Sequence, residues 1–228
     1  MVATSPQPLR RIVNIHEPAT LLTDYLLAAL GGGLAWRLRS QTSSGNLAAR
    51  WWIRALLAMS ISAFVGGSYH GFAPNFPAAL AAVWWKSVLI FVCATGFCMA
   101  FSLIRKIGPQ SRQRAWNGLV ITKFLLAVAV VFSYPKFFVA MVDYSLAMVA
   151  WAVAALWLRR AWSGWMLAAV GFSAIAGWVQ QSRSGISVHF NHNDLYHLIQ
   201  ALALVGFYRV GRLLGGLSHR SGNLIKGK

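Results

Sequence analysis

The sequence predicts an all-α integral membrane protein, a single bundle of seven transmembrane helices. Of its 228 residues, 57% are hydrophobic and only 11% are charged, which is less than half the charged share of an ordinary soluble domain. The apolar residues fall into seven segments, each close to the roughly 20 residues that a helix needs to cross a bilayer. Residues that end or interrupt helices cluster between these segments.

Each span is bounded by such a break or by a pair of basic residues. In chain order, the predicted spans are 18–38, 51–72, 78–104, 115–133, 137–158, 162–180 and 193–214. The segments that separate them are 40–46, 73–77, 108–109, 134–135, 159–160 and 182–185. No repeat of fixed period divides the chain, so residues 1–228 are predicted to form one domain. Residues 1–17 are an outer amino-terminal segment and residues 215–228 a basic cytoplasmic tail.

Basic residues set the predicted orientation. Fifteen of the 21 Lys and Arg residues lie beside the first, third and fifth connections or in the carboxyl-terminal region. Because basic loops stay in the cytoplasm, the amino terminus is predicted outside and the carboxyl terminus inside. The net charge of +17 is thereby explained without nucleic acid. The basic loops and the tail are expected to contact anionic lipids.

Tryptophans near the ends of the spans are predicted to anchor the protein at the membrane interface. They are Trp51, Trp52, Trp84, Trp85, Trp162 and Trp165.

The ionisable residues of the predicted spans point to a polar site near the outer surface. The chain has only four acidic residues, Glu17, Asp24, Asp143 and Asp194. All four are expected in or near the outer half of the bundle, where His70 ends the second span and His197 lies in the first turns of the seventh. Ionisable side chains are costly in hydrocarbon and usually face the bundle interior. We therefore expect Asp24, His70 and His197 to share one depth.

Zinc chemistry is one use of such a site. A catalytic zinc takes three protein ligands and a water, whose pKa it lowers toward about 7. His70 and His197 are the first two candidate ligands, and His192, Asp194 or Asp24 is the third. Asp24 or Asp194 could instead act as a base or orient a ligand.

Structural roles compete with these assignments. Glu17 and Asp194 are placed to favour the positive ends of helix dipoles. Asp143 could pair with Lys136, two turns away on the same face.

Three motifs resemble a known superfamily. Thr23-Asp24-Tyr25-Leu26-Leu27, His70-Gly71-Phe72 and the segment 193–200 resemble the CREST superfamily of seven-helix membrane proteins, and look most like its uncharacterised bacterial members. That superfamily includes alkaline ceramidases and the progestin and adipoQ receptors. The resemblance implies that His70 and His197 bind zinc. The likeness to bacterial members implies that the protein lies in the inner membrane of a bacterium. Gly66 and Asn193 stand where the family pattern has serine and histidine, and the third span has no acid.

The leading functional prediction is a zinc-dependent membrane hydrolase that acts on a lipid amide or ester delivered from the bilayer. A non-enzymatic bundle, such as a sensor, a receptor-like module or a subunit, is the alternative, with the polar residues forming a structural network. Ligation of a haem by His70 and His197 is a third hypothesis. The sequence predicts no oligomeric state.

Overall fold

The computed structural model describes residues 13–187 and 190–216. Within these ranges the protein is all-helical, and each predicted span corresponds to one helix. The seven helices are α1 (Pro18–Gln41), α2 (Leu47–Phe72), α3 (Ala78–Ile107), α4 (Gln113–Ser133), α5 (Phe137–Leu158), α6 (Ser163–Ser182) and α7 (His192–Leu214). Most of the predicted outer segment (residues 1–12) and most of the basic tail (residues 217–228) lie outside the described residues.

Five of the helices, α1 to α5, are long and apolar enough to cross a membrane. This is consistent with the predicted integral membrane protein. Helices α6 and α7 have comparable lengths, and their polar side chains include Gln180, Asn193, His197 and Gln200. Those residues belong to the site described below.

Six helices form a closed ring in which α1, α2, α3, α5, α6 and α7 each pack against the next, and α7 packs back against α1. Helix α4 lies outside this ring, against α3 and α5. Only Val120 and Val131 are buried on α4. The ring encloses the space in which a site can form.

Buried tryptophans fill one end of the ring. Trp52 is 1% exposed and Trp162 is 3% exposed, so the prediction that these two anchor the protein at the interface is wrong. The indole N–H of Trp52 donates to the Phe207 carbonyl at 2.8 Å, and that of Trp151 donates to the Met99 carbonyl at 2.9 Å. Because the Trp52 and Trp151 indoles find carbonyls inside the bundle, they do not need the water of the interface.

Two glycines of α2 let this helix approach α1 closely at Asp24. A Cβ atom at Gly67 would lie 2.8 Å from the Asp24 Cβ and 3.1 Å from the Leu21 carbonyl oxygen. At Gly66 the nearest atom would be the Asp24 Oδ2, at 3.4 Å. Small residues at such contacts let helix backbones approach closely in membranes. The glycine pair therefore determines where the Asp24 carboxyl lies.

We expect Gly67→Ala to lower the free energy of unfolding by about 1–3 kcal/mol, because the added methyl overlaps α1. Gly33→Ala is the matched control, since a Cβ there has no atom within 4 Å and alanine favours a helix by up to about 1 kcal/mol over glycine. Thermal unfolding in detergent measures both changes. Equal melting temperatures for the two variants would contradict the close contact at Gly67.

Candidate functional site

Asp24 of α1 and His197 of α7 form a buried pair. Nε2 of His197 lies 3.1 Å from Oδ1 of Asp24, and the two side chains are 8% and 6% exposed, respectively. Nδ1 of His197 lies 3.0 Å from Oγ1 of Thr23, which lies 3.1 Å from the Thr20 carbonyl oxygen. Both nitrogens of this imidazole are therefore held by side chains of α1.

The hydrogen bonds around His197 place one proton between its Nε2 and Oδ1 of Asp24. The single Thr23 hydroxyl proton goes either to the Thr20 carbonyl or to Nδ1 of His197. In the first case Nδ1 donates to Thr23, and Asp24 donates its own proton to Nε2. In the second case Nε2 donates to the Asp24 carboxylate. In both cases one proton lies between Nε2 and Oδ1. Only in the second is Asp24 a carboxylate, the form that can act as a general base.

The Asp24–His197 pair borders a cavity of about 490 Å³ inside the ring. All six ring helices contribute to its lining, which is mostly apolar, and we call it the ring cavity. Asp24, His70 and His197 all line it, so the three residues predicted to share a depth do face one space. The volume lies in the range of pockets that bind small molecules.

The ring cavity opens sideways between α5 and α6. Val149 of α5 and Trp178 of α6 both line it, yet they are 57% and 65% exposed on the outside of the bundle. Ala174, one helical turn before Trp178, also lines the cavity and is exposed. The two helices are in contact beside Trp178, where a Cβ at Gly177 would lie 3.3 Å from the Met141 sulfur. We call this gap the lateral window, and in a membrane it faces lipid.

His70 borders the ring cavity and contacts the amino-terminal segment. Its Nδ1 lies 3.0 Å from Oε2 of Glu17. The His16 amide donates to the Gly71 carbonyl at 3.1 Å, which fixes the segment to the end of α2. Glu17 occupies the N-cap position of α1, but its side chain makes no capping hydrogen bond. Its structural role is thus to pair with His70.

The Glu17–His70 contact predicts a small pH effect on stability. The hydrogen bond from His70 holds the pKa of the Glu17 carboxyl below its usual value. A carboxyl whose pKa is lower in the folded state contributes stability above its unfolded pKa and loses it as the pH falls through the folded value. Between pH 5 and pH 3 we expect the wild type to lose more thermal stability than Glu17→Gln. The difference is small because Glu17 is half-exposed, and identical pH profiles would contradict this contact.

Asp194, a predicted catalytic residue, has both carboxyl oxygens engaged at the start of α7. Oδ1 accepts from the Thr20 hydroxyl at 2.9 Å, and Oδ2 accepts from the Asn191 amide at 2.8 Å. These contacts complete a capping box and join α7 to α1. Asp194 is fully buried and is absent from the lining of the ring cavity. It therefore fixes the position of His197, one turn further along α7.

The predicted zinc ligands do not form a metal-binding group in this arrangement. Across residues 13–187 and 190–216, no three His, Cys, Asp or Glu side chains lie close enough to hold a metal ion together. A zinc ligand needs a free nitrogen lone pair, but both nitrogens of His197 have protein partners. His192 is the first residue of α7 and does not line the ring cavity. The described side chains thus do not fit zinc held by His70, His197 and His192.

Asp143 pairs with Lys123 of α4, not with Lys136 as one alternative predicted. The Lys123 ammonium lies 2.8 Å from Oδ1 of Asp143 and 3.2 Å from the Asp143 carbonyl oxygen. Gly96 of α3 packs against this part of α5, where a Cβ would lie 3.0 Å from the Tyr144 Cα and 3.5 Å from Oδ2 of Asp143. Lys136 lies outside α5 and has its ammonium 5.9 Å from the Tyr134 ring centroid. Since Asp143 does not line the ring cavity, this ion pair fastens α4 to the ring.

Comparison with known proteins identifies a family. A model described as a family of unknown function, DUF6962, matches residues 19–215. The chain belongs to this family. The matched region contains nearly all of α1 and the whole of the other six helices. No curated protein and no solved structure matches the chain.

This DUF6962 chain also places two glutamines in the ring cavity, Gln180 and Gln200, which the sequence analysis did not select. Gln180 donates to the Asn193 side-chain oxygen at 2.9 Å, and the buried Oε1 of Gln180 has no partner among the described residues. Gln200 is also buried and lines the cavity. The signal was present, because Asn193, His197 and Gln200 follow an i, i+4, i+7 pattern that places them on one helix face.

Proposed function

We propose that the protein is a membrane hydrolase for the ester or amide bond of an amphipathic lipid, with Asp24 and His197 as its acid–base pair. The observation that carries the proposal is the position of this pair, buried at the wall of a largely apolar cavity that also opens toward lipid. An acyl chain entering by the lateral window would fill the apolar part of the ring cavity. Its polar end would then lie beside Asp24.

The proposed reaction needs one proton to move twice. Asp24, as carboxylate, takes a proton from a water while the water oxygen bonds to the carbonyl carbon. The carbon–oxygen or carbon–nitrogen bond then breaks, and Asp24 returns the proton to the leaving oxygen or nitrogen. His197 hydrogen-bonds to Asp24 throughout and stabilises its charge. The amide groups of Asn193 and Gln180 line the same cavity and can donate hydrogen bonds to the carbonyl oxygen as it gains negative charge.

The proposal includes the predicted topology of seven spans with the amino terminus outside, in the inner membrane of a bacterium. Helices α6 and α7 pack in one ring with α1, α2, α3 and α5, and those four are long and apolar enough to cross a membrane. Their polar residues face the ring cavity, as intramembrane polar residues do. The excess of basic residues at one side supports the orientation. In this topology the Asp24–His197 pair lies near the outer leaflet.

A hydrolysis assay tests the proposal. The purified protein is reconstituted in nanodiscs and offered N-acyl and O-acyl lipids with one chain, and released fatty acid is measured before and after treatment with a chelator. We expect turnover of at least one of the two substrate types. The CREST resemblance implies zinc binding, which stays a prediction. Metal analysis of the same sample tests it. Absence of release from every substrate, with folded protein, would contradict the hydrolase.

The lateral window gives a second prediction. Ala174→Trp places a large side chain in the window, and we expect lipid turnover to fall at least about tenfold because substrate entry is blocked. Ala168→Trp is the matched control, since Ala168 is an exposed alanine of α6 that does not line the ring cavity. Equal activity of the two variants would show that substrate enters elsewhere.

A non-enzymatic ligand-binding bundle is the second candidate. It is favoured by the closed hydrogen bonding around His197, in which each ring nitrogen has a protein partner. In that case the ring cavity would bind an amphiphile and release it unchanged. Saturable lipid binding without released fatty acid distinguishes this function from hydrolysis.

A further inference from the structure

A second cavity lies at the opposite end of α1 from Glu17. It has a volume of about 410 Å³ and is bounded by the end of α1, the connection to α2 and the first turns of α2. Arg39 and Arg50 both line it, together with Ser43, Ser44 and the interfacial Trp36. We call it the loop pocket. No residue that lines the loop pocket also lines the ring cavity.

The two arginines of the loop pocket have no carboxylate to balance them. All four acidic side chains of the chain are engaged elsewhere: Glu17 with His70, Asp24 with His197, Asp143 with Lys123, and Asp194 in the capping box. From Glu17 to Arg39 the helix rises by about 33 Å at 1.5 Å per residue. No acidic side chain of this protein therefore neutralises the two arginines. Arg39 is exposed and Arg50 is half-buried, so an anionic ligand from outside can reach both.

Hydrogen-bond donors are also free in the loop pocket. Arg50 donates one bond to the Ser44 carbonyl at 3.1 Å, which holds its guanidinium beside the loop. Within the described part of the chain, the Arg39 guanidinium and the hydroxyls of Ser43 and Ser44 have no hydrogen-bond partner. Arginine forks and hydroxyls are the donors that proteins use to bind phosphate.

The place of the loop pocket fits a lipid headgroup. It lies between the ends of α1 and α2, two helices that are long and apolar enough to cross the membrane. Trp36 is 75% exposed on α1 about one turn before Arg39, as is typical of an aromatic residue at headgroup level. Basic pockets between transmembrane helices are suited to anionic headgroups.

We propose that the loop pocket binds the phosphate group of an anionic lipid headgroup through Arg39, Arg50, Ser43 and Ser44. This site makes no use of the Asp24–His197 pair and does not depend on the proposed hydrolase. Its ligand is a phosphate ester with net negative charge. A zwitterionic lipid satisfies the site less well, because its own cation repels the arginines.

Native mass spectrometry of the detergent-purified protein tests this site with short-chain phosphatidylglycerol as the probe. Each arginine near an anionic headgroup is worth about 1 kcal/mol, so Arg39→Gln/Arg50→Gln should lower the affinity for phosphatidylglycerol by about 30-fold. Arg112→Gln/Arg114→Gln is the matched control, because it removes two exposed arginines at the start of α4 that line neither the loop pocket nor the ring cavity. It measures the general attraction of basic residues to anionic lipid, without the pocket. We expect its affinity to stay within about threefold of the wild type.

Two further arms identify the source of the phosphate. Inorganic phosphate is added at 10 mM, which is roughly tenfold above a weak, millimolar Kd and would reveal even weak binding of phosphate alone. We do not expect it to displace phosphatidylglycerol. We expect phosphatidylcholine to bind more weakly than phosphatidylglycerol. Saturable binding of inorganic phosphate, lost in the pocket variant, would support the phosphate site and assign a soluble ligand to it. If the double variant does not fold, Ser43→Asp is the second variant, because Ser43 is exposed in the loop. Its added carboxylate should repel phosphatidylglycerol and lower the affinity. Equal losses in pocket and control variants, or no saturable binding, would overturn the proposal.

Discussion

Asp24→Asn is expected to lower lipid turnover by about 10²–10⁴-fold, the usual contribution of a general acid–base group, while the protein stays folded. Asparagine has the same shape and can still hydrogen-bond to His197, so the packing of α1 against α7 is retained. It cannot take a proton from water. The loss should therefore appear in kcat rather than in KM, as measured in nanodiscs with a saturating one-chain substrate.

Asp143→Asn is the matched control for this experiment. Asp143 is also a buried aspartate, but it faces α4 and does not line the ring cavity. We expect its kcat to stay within about threefold of the wild type, even though its stability falls. If Asp24→Asn retained full turnover, Asp24 could not be the base.

The second large effect is on stability, at the ion pair that fastens α4. Lys123→Ala leaves the Asp143 carboxyl, which is 7% exposed, buried without its partner. Breaking such a buried ion pair costs about 3–5 kcal/mol, whereas replacing both partners with apolar residues is often neutral. We therefore expect a large fall in the free energy of unfolding for Lys123→Ala and recovery of most of it in Lys123→Met/Asp143→Leu.

Unfolding midpoints in denaturant, measured for the wild type, Lys123→Met, Asp143→Leu and the Lys123→Met/Asp143→Leu variant, give the interaction energy of the pair. Additive losses, with the double variant less stable than either single variant, would mean that the two charges do not interact.

Hydrophobic patterning was sufficient to predict the helices. The spans in the sequence are long, apolar and separated by Pro, Gly and charged residues, so every predicted span has a helix with nearly the same bounds. The prediction of interfacial tryptophans was wrong for two side chains that are stable both at the membrane interface and inside the bundle. Trp52 and Trp162 could lie at the interface or inside the ring, and only the packing of α2 and α7 supplies the carbonyl that satisfies the Trp52 indole.

The candidate site was predicted in part. Chemistry and depth were enough to select Asp24, His70 and His197, because ionisable groups in apolar spans face the interior. Their partners were not predictable, since the contact of His197 with Thr23 and Asp24 spans 174 and 173 residues of sequence. The same holds for Asp143, whose actual partner on α4 is fixed by the position of that helix outside the ring. The window between α5 and α6 depends on helix packing and has no sequence signature.

The most direct test of the central claim is to determine where a lipid lies in the protein. A one-chain lipid with a photoactivatable group at the middle of its acyl chain is incorporated into nanodiscs with the protein, and the labelled peptides are identified after irradiation. The binding of an amphiphile in the ring cavity predicts labelling of inward-facing residues such as Met148 and Val170, reduced by Ala174→Trp. Labelling confined to outward-facing residues such as Leu125 and Leu126 of α4 would contradict it.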